Sequence, residues 1–326
     1  MEKSTVEVLF EWMDETTELI QQHRNEPYLE SLSITMEFLL DEGASEDMDD
    51  ILSHKLQQAF SKINFRSYET EEVRKAIQLT ILKGMKGSTQ QQHLMTPDTV
   101  GLIVGYLADK LTKQKDKFRV FDPVSGTGNL LTTVLGQLKQ EVHAYASEVD
   151  PTLIQLSVLN ANLQKKQIEF FHQDSLSPFL MDPVDLVVAD LPVGYYPDDR
   201  RANDFQLKAD SGHSYAHHLL IEQSMKYTVD AGYLILVVPE FLFDSDQSDK
   251  LHDYLQKYAH IIGVIRLPET AFKTEKSAKS ILILQKKGKH TSTPKQPLLV
   301  QMPSFKNSNA MADILGKMNA WFETNK

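Results

Sequence analysis

Along the first quarter of the chain, apolar residues recur at intervals of three and four, which is the spacing of one buried helix face. The pattern predicts a helix on each side of a break at 25–27, a second break at 41–43, and further helices near 48–60 and 68–83. The apolar positions of the first two helices are Leu9, Phe10, Met13, Leu19, Ile20, Leu29, Leu32, Ile34, Phe38 and Leu39. We expect a small helical bundle that carries no catalytic signature.

From residue 118 onward, short apolar runs alternate with helical spacing, which is typical of an α/β fold. Seven runs of the kind found in buried strands end near residues 121, 147, 173, 190, 239, 267 and 286. Helices are predicted at 100–111, directly after residue 128, and at 151–164, 216–229 and 249–258. Residues 198–216 are polar and aperiodic, which predicts a long loop at a usual place for a substrate lid.

A polar, glycine-containing segment at 83–89 separates the two patterns and predicts a linker. We therefore expect two domains, a helical N-terminal domain over residues 1–87 and an α/β domain over residues 88–326.

The composition narrows the classes of protein. The chain has 326 residues, of which 41% are hydrophobic, an ordinary fraction for a globular protein. It contains no cysteine, which excludes disulfides and thiolate metal sites. The N-terminal segment is acidic and lacks the apolar core of a signal peptide, and no apolar run reaches membrane length. We expect a cytoplasmic protein that does not contact a membrane.

The charge is uneven along the chain. Residues 1–50 carry a net charge of −13 and residues 51–326 one of +2, which together give the −11 of the whole chain. Residues 271–310 contain eight lysines and one glutamate. This basic strip either contacts phosphates or consists of solvated edge and loop residues, and the sequence leaves both interpretations open.

Three histidines, His213, His217 and His218, lie close together in the sequence. Neither an HExxH spacing nor a cluster of carboxylates accompanies them. We expect no metal site.

The segment from Asp122 to Leu130 predicts a ligand-binding turn. Gly126 and Gly128 allow the backbone to turn tightly after a strand, and helical spacing follows at once. A helix N-terminus offers free N–H groups to a ligand. Glu148 ends the next strand twenty residues after Gly128, where an α/β nucleotide fold places a carboxylate on a ribose. Taken alone, the two glycines are also consistent with an ordinary strand-to-helix turn.

The spelling of this turn resembles motif I of class I S-adenosylmethionine (SAM) methyltransferases, D-P-x-x-G-x-G-x-L, and residues 147–151 resemble their second motif. The absence of a third glycine disfavours a dinucleotide site. The resemblance implies SAM as cofactor, a loop that holds its methionine part, Glu148 on the ribose, and Val149 and Asp174 around the adenine. The implied cofactor residues are Thr96, Asp122, Pro123, Ser125, Gly126, Thr127, Gly128, Asn129, Leu130, Glu148, Val149, Asp174, Ser175 and Asp190.

The strand that ends in Asp190 is followed by Leu191, Pro192 and Val193, which resembles the [N/D/S]-P-P-[Y/F/W] motif of base N-methyltransferases. In that family a side-chain oxygen and a backbone carbonyl orient the target amine, and the aromatic residue stacks on the flipped base. The resemblance implies catalytic roles for Asp190, Leu191, Pro192 and Val193. Leu191 and Val193 depart from the motif, so Tyr195 or Tyr196 is the candidate for stacking.

Thr96 and Pro97 admit two interpretations. They fit an N-cap followed by a first helical residue, and this structural role is sufficient alone. Amino methyltransferases that modify DNA bases have a similar Thr-Pro helix start, which closes over the methionine end of SAM. The resemblance therefore implies that Thr96 contacts the cofactor.

The final strands, near 261–267 and 279–286, resemble those of modification subunits of type I restriction systems, and residues 90–287 follow that family's order. Stand-alone bacterial DNA-methylase-like proteins are a similar group. The resemblance implies an all-α N-terminal domain followed by a Rossmann-like, mixed sheet of about seven strands. Residues 290–326 are too few for a separate target-recognition domain.

The implied function is SAM-dependent N-methylation, with adenine N6 in DNA as the acceptor. DNA is the expected partner, together with a specificity subunit or another protein bound through the helical N-terminal domain. Two alternatives stay open: the acceptor is RNA or a protein amide, or the protein is a SAM-binding, non-catalytic scaffold with a degenerate catalytic motif.

Overall fold

The computed structural model describes residues 3–43, 49–86, 95–272 and 278–325. The helices are α1 (Thr5–Arg24), α2 (Tyr28–Asp41), α3 (Asp50–Phe60), α4 (Thr70–Lys86), α5 (Asp98–Thr112), α6 (Asn129–Gln137), α7 (Pro151–Leu163), α8 (Asp199–Ala202), α9 (Ala216–Lys226), α10 (Ser248–Tyr258) and α11 (Ser308–Thr324). The strands are β1 (Lys117–Asp122), β2 (Glu141–Glu148), β3 (Ile168–His172), β4 (Val184–Asp190), β5 (Thr228–Pro239), β6 (Ala259–Arg266), β7 (Lys279–Lys286) and β8 (Leu298–Gln301).

Helices α1 to α4 form the predicted N-terminal bundle. Helix α1 begins with a capping box, in which Ser4 and Glu7 satisfy each other's backbone N–H groups. The bundle core is apolar and also contains side chains of α7, namely Leu156, Leu159 and Leu163. The bundle therefore packs directly on a helix that belongs to the sheet. Helix α4 continues to Lys86, so the predicted linker was wrong at 83–86, and its remainder, 87–89, lies outside the described residues.

The sheet is mixed, as predicted, with eight strands in the order β3-β2-β1-β4-β5-β7-β6-β8. Strands β3, β2, β1, β4 and β5 run parallel, and β7 is antiparallel to both β5 and β6. The eighth strand, β8, pairs in parallel with β6 and was not predicted. It has only four residues, too few for a period to be visible.

Both faces of the sheet are covered. Helices α9 and α10 contribute buried residues to one core, and α5, α6 and α11 contribute to the other. The central strand β4 is buried along most of its length, which explains its near-continuous apolar sequence. Within the described residues, no helix has both the length and the apolar character needed to span a membrane.

The segment 198–216 is a long loop, as predicted, with one short helix inside it. It contains α8, and Phe205 and Leu207 are buried in the core. Main-chain bonds hold both of its ends, from Tyr196 N–H to the Ser214 carbonyl at 2.8 Å and from Ala216 N–H to the Gly194 carbonyl at 2.9 Å. Two isolated apolar residues within a polar stretch give no periodic signal, which explains why their burial was not predicted.

The strand directions bring the candidate site together. Parallel strands β1, β2, β3 and β4 end at the same edge of the sheet. Strands β2 and β3 lie on one side of β1, and β4 lies on its other side. This switch in strand order makes a crevice at the edge where the strands end. Because β7 is antiparallel, it begins at the edge where the others end. Its first residue, Lys279, lies opposite Pro239, the last residue of β5.

Candidate active site

The loop between β1 and α6 exposes its backbone. Gly126 and Gly128 have φ angles of 53° and 76°, in the left-handed region that favours glycine. A Cβ on Gly128 would lie 2.5 Å from the Ser157 hydroxyl of α7, so this glycine also permits close packing. A Cβ on Gly126 would meet no atom within 4 Å, so the main chain here faces open space in front of a helix N-terminus. A ligand can therefore approach the main chain closely at Gly126.

Glu148, the last residue of β2, is held by three main-chain N–H groups. Its Oε2 accepts from Gly126 at 2.9 Å, and its Oε1 accepts from Val149 at 2.8 Å and from Asp150 at 3.0 Å. The side chain is buried, whereas the adjacent Val149 is 60% exposed. A fixed carboxylate beside an uncovered aliphatic side chain suits a ribose with its attached base.

Three carboxylates, those of Asp122, Glu148 and Asp190, lie at the ends of β1, β2 and β4. The pKa of Asp122 is raised to about 8, mainly by burial and also by the charges of Glu148 and Asp190, against the lowering effect of a hydrogen bond from the Val124 N–H. A positively charged ligand would offset this concentration of negative charge.

We expect Asp122→Asn to remove a pH-dependent loss of stability. The wild-type carboxyl keeps its proton in the folded state up to about pH 8, whereas the unfolded chain releases it near pH 4. The free energy of unfolding of the wild type therefore falls between these two pH values, by up to several kcal/mol. The urea midpoint of the variant should match that of the wild type near pH 4 and exceed it near pH 9. A midpoint difference that stays constant over this range would contradict the assignment.

Asp190, the last residue of β4, has side-chain partners from two distant parts of the chain. The Thr96 hydroxyl donates to Oδ2 at 2.8 Å, and the Lys279 ammonium donates to Oδ1 in a salt bridge. The same ammonium donates to the carbonyl oxygen of Leu191 at 3.3 Å. The Asn129 amide donates to the Thr96 carbonyl at 2.9 Å and so ties this segment to α6. At the end of β4, the Asp190 carboxylate and the Leu191 carbonyl thus accept hydrogen bonds from the same amine, that of Lys279.

Thr96 is not a helix cap, so that interpretation was wrong. Pro97 is the N-cap residue of α5, which begins at Asp98, and no side chain caps the helix. The Thr96 hydroxyl instead donates to Asp190 at the end of β4. Thr96 is therefore part of the candidate site.

The two candidate stacking residues differ in their surroundings. Tyr195 is 58% exposed and stacks on Tyr215, with ring centroids 4.9 Å apart and an interplanar angle of 11°. Tyr196 is buried, and its hydroxyl donates to Asp174. Val193 is partly exposed and Leu191 is fully buried. Of these side chains, Tyr195 is the aromatic ring that a ligand can reach.

The remaining predicted cofactor residues hold the crevice together. Asp174 caps a turn by accepting the Leu176 N–H at 2.9 Å, and the Ser175 hydroxyl donates to the carbonyl of Pro123. The Thr127 carbonyl accepts the Asn160 amide at 3.0 Å. The Leu130 side chain packs in the apolar core, and Pro192 is exposed beside Asp190.

The Ser125 hydroxyl differs from these supporting residues. It is buried in the glycine loop and has no hydrogen-bond partner within the described ranges. Because a buried polar group without a partner is costly, this hydroxyl is available to a ligand that fills the crevice.

Within the part of the chain that the structure describes, no group of three or more histidine, aspartate or glutamate side chains is placed to hold a metal ion. Burial lowers the pKa of His217 to about 3 and that of His218 to about 4, so both are neutral near pH 7. His213 bonds to the carboxylate of Asp199 at 3.0 Å.

Sequence reasoning missed two residues of the site, Lys279 and Tyr215. Lys279 was assigned to the last predicted strand and to the basic strip, and two lysines of that strip, 273 and 276, lie outside the described residues. Lys286 and Lys287 each donate to a main-chain carbonyl. A signal for Lys279 existed, since it begins the last predicted strand, and an antiparallel strand begins at the active edge.

Two family models cover most of the chain. The YtxK N-terminal helical domain matches residues 7–85, and the N-6 DNA Methylase domain matches residues 85–318. The chain belongs to the N-6 DNA methylase family. The resemblance found in the sequence motifs is therefore confirmed, and with it the Rossmann-like methyltransferase fold behind an N-terminal helical domain.

Three further proteins are similar to this chain in sequence or in structure. The uncharacterized protein YtxK of Bacillus subtilis is 44% identical over the full length of both chains. A crystal structure from Listeria monocytogenes, provisionally assigned as a class I SAM-dependent methyltransferase, has 41% identity and a TM-score of 0.91 and covers 97% of this chain and 98% of its own. A modification subunit of a provisionally assigned type I restriction enzyme from Vibrio vulnificus has 16% identity and a TM-score of 0.66, over 90% of this chain and 66% of its own, and shares the fold.

Proposed function

We propose that this member of the N-6 DNA methylase family transfers a methyl group from SAM to the N6 amine of adenine in DNA. The observation that carries the proposal is the pair of acceptors at the end of β4. The Asp190 carboxylate and the Leu191 carbonyl already bind a single amine between them. They lie at the same sheet edge as the glycine loop and Glu148.

The crevice residues fit SAM. The open space at Gly126 and the unpaired Ser125 hydroxyl would meet polar groups of its methionine part. Glu148 would accept hydrogen bonds from the ribose hydroxyls, and the exposed face of Val149 would cover the adenine. The raised pKa of Asp122 favours a cationic ligand. When bound, SAM supplies a methyl group on a positively charged sulfur that leaves as a neutral thioether.

The acceptors at Asp190 and Leu191 would orient the target amine. An exocyclic amine conjugated with its ring is a weak nucleophile, and two N–H···O bonds would turn its lone pair towards the methyl group. The nitrogen lone pair forms the new N–C bond, the C–S bond electrons stay on sulfur, and one nitrogen proton passes to solvent. Thr96 holds the Asp190 carboxylate in place from the other side.

Tyr195 is the proposed stacking platform for the target base, because Val193 stands where the family motif has an aromatic residue. We expect Tyr195→Ala to raise the KM for the acceptor by roughly 5- to 100-fold, since stacking on an aromatic side chain contributes about 1–3 kcal/mol per base. Tyr195→Phe keeps the ring and should behave like the wild type. Both are measured as KM and kcat in a methyl-transfer assay. An unchanged KM in the alanine variant would exclude Tyr195 as the platform.

DNA contact and sequence specificity need groups outside the acceptor pocket. Arg200 is exposed and Arg201 is partly exposed on α8, close in sequence to the platform, and both suit phosphate contacts. The N-terminal bundle is the proposed docking surface for a specificity subunit or another protein, since its first 50 residues carry a charge of −13.

The proposal is tested in the source organism, where any required partner is present. Mass spectrometry of digested genomic DNA should detect N6-methyldeoxyadenosine that disappears when the gene is deleted. The wild-type gene should restore it, and an Asp190→Ala allele should not. A genome with the same content of this nucleoside before and after deletion would contradict the proposal.

A labelling assay with the purified protein tests acceptors other than DNA. RNA or a protein amide, the alternative acceptors, would receive label from methyl-labelled SAM instead of DNA. A scaffold would bind SAM and label none of the three.

A further inference from the structure

The amine of Lys279 lies where the proposed function places the amine of the substrate. Its Nζ donates to Asp190 Oδ1 and, at 3.3 Å, to the carbonyl oxygen of Leu191. These two oxygens are the pair that would accept the N–H groups of a target adenine. An ammonium group has three N–H donors, so it can satisfy both oxygens together.

The sheet register explains how a distant lysine reaches this pair. Asp190 lies opposite Val237 on β5, and Lys279 lies opposite Pro239 on the same strand. Strand β5 therefore separates β4 from β7, and the long lysine side chain spans it to reach the end of β4. Lys286, at the other end of β7, donates to the Thr228 carbonyl at 2.7 Å and has no contact with the site.

The Lys279–Asp190 pair is mostly shielded from water. The Lys279 side chain is 20% exposed and the Asp190 side chain is 13% exposed. The same two oxygens cannot hold the lysine amine and a substrate amine in the same place at once. Occupation by Lys279 and occupation by an acceptor are therefore mutually exclusive.

We infer that Lys279 is an internal stand-in for the acceptor amine, which fills the acceptor position in the free protein and leaves it when the substrate amine enters. The inference rests on the proposed function, because that function defines the acceptor position. The displaced ammonium keeps its charge and needs a new partner. A nucleic acid brings a phosphate with every nucleotide, whereas a protein amide has an anionic neighbour only where its own sequence supplies a carboxylate. Lys279 would thus favour nucleic acid as the substrate class.

The first test measures adenosine binding, with S-adenosylhomocysteine added to fill the donor site. Lys279→Met removes the competing amine and keeps the apolar stem, so it should bind adenosine several-fold more tightly than the wild type. Lys286→Met, the matched control on the same strand, should bind like the wild type. Equal affinity in all three proteins, including no detectable binding in any, would overturn the inference.

A second test uses the wild-type protein and so does not depend on the folding of a variant. A lysine-acetylating reagent is applied, and acetylation is located by peptide mass spectrometry. Lys279 should react several-fold more slowly than the exposed Lys289 in the free protein, and its rate should rise when adenosine is added. A Lys279 rate that equals that of Lys289 from the start would overturn the inference.

These outcomes separate the inference from the proposed function. Competition between adenosine and Lys279, with no methyl transfer to any acceptor, would contradict the proposed function and support the inference. Methyl transfer to DNA with the same KM in Lys279→Met and in the wild type would overturn the inference alone. We expect instead a KM for DNA that is several-fold lower in Lys279→Met, and unchanged in Lys286→Met.

Discussion

Replacing Asp190 by alanine is expected to lower methyl transfer by at least about 100-fold, because misplacement of a reacting group by 1 Å can cost that much. The variant removes the side-chain oxygen that orients the amine and leaves the glycine loop and Glu148 intact. The affinity for SAM should therefore change little. The two quantities are measured separately, transfer with labelled SAM and affinity by calorimetric titration.

Asp190→Asn serves as the conservative variant. It keeps an oxygen acceptor at the end of β4 and should retain far more transfer than the alanine variant. If Asp190→Ala and the wild type transfer methyl groups at the same rate, Asp190 does not orient the acceptor, and the assignment of this strand end fails.

Glu148→Ala should weaken SAM binding by about 100-fold or more, since hydrogen bonds to a charged group contribute about 1.5–3 kcal/mol each and a ribose offers two hydroxyls. The variant also frees the Gly126 N–H, whose bond to Glu148 measures 2.9 Å. The loop would then lose one of its fixed points. Affinity is measured by titration, and circular dichroism confirms that the fold is kept.

Glu141→Ala is the matched control for Glu148. Glu141 begins the same strand, is exposed, and pairs with Lys117 at the opposite end of the sheet. Its replacement should leave the affinity for SAM unchanged. Equal affinities of the Glu148 and Glu141 variants would show that Glu148 does not hold the cofactor.

The backbone around the glycine loop and Glu148 was predictable because its signals are local. The two glycines and the acid at the end of β2 lie within a single strand–helix–strand unit, Lys117 to Glu148. Glycine at positive φ and a carboxylate at the next strand end each have a direct physical reason. The backbone of this unit therefore followed from residue type and spacing.

The contacts of Asp190 were less predictable because they are long-range. Asp190 contacts Thr96, which is 94 residues away in the sequence, and Lys279, which is 89 residues away. No periodicity in the sequence encodes such pairs. They depend on the extended segment before α5 and on the reversal of β7, which tertiary packing determines.

The choice between the two candidate stacking residues was also not predictable from the sequence, although they are neighbours. Tyr195 and Tyr196 are adjacent, so the sequence treats them alike. The isolated bridge between Tyr195 and Tyr215 fixes which ring faces outward. Tyr215, on which Tyr195 stacks, lies near the end of the segment 198–216. This segment lacks any periodic pattern, which explains why Tyr215 was missed.

The most direct test of methyl transfer at this site is to incubate the purified protein with methyl-labelled SAM and a mixture of unmethylated DNA, RNA and cell-extract protein, and to count the label in each fraction. The account predicts label in DNA as N6-methyladenine, and its loss with Asp190→Ala. Label in RNA or protein alone would contradict DNA as the acceptor. No label in any fraction, with SAM still bound in a parallel titration, would contradict catalysis by the isolated chain.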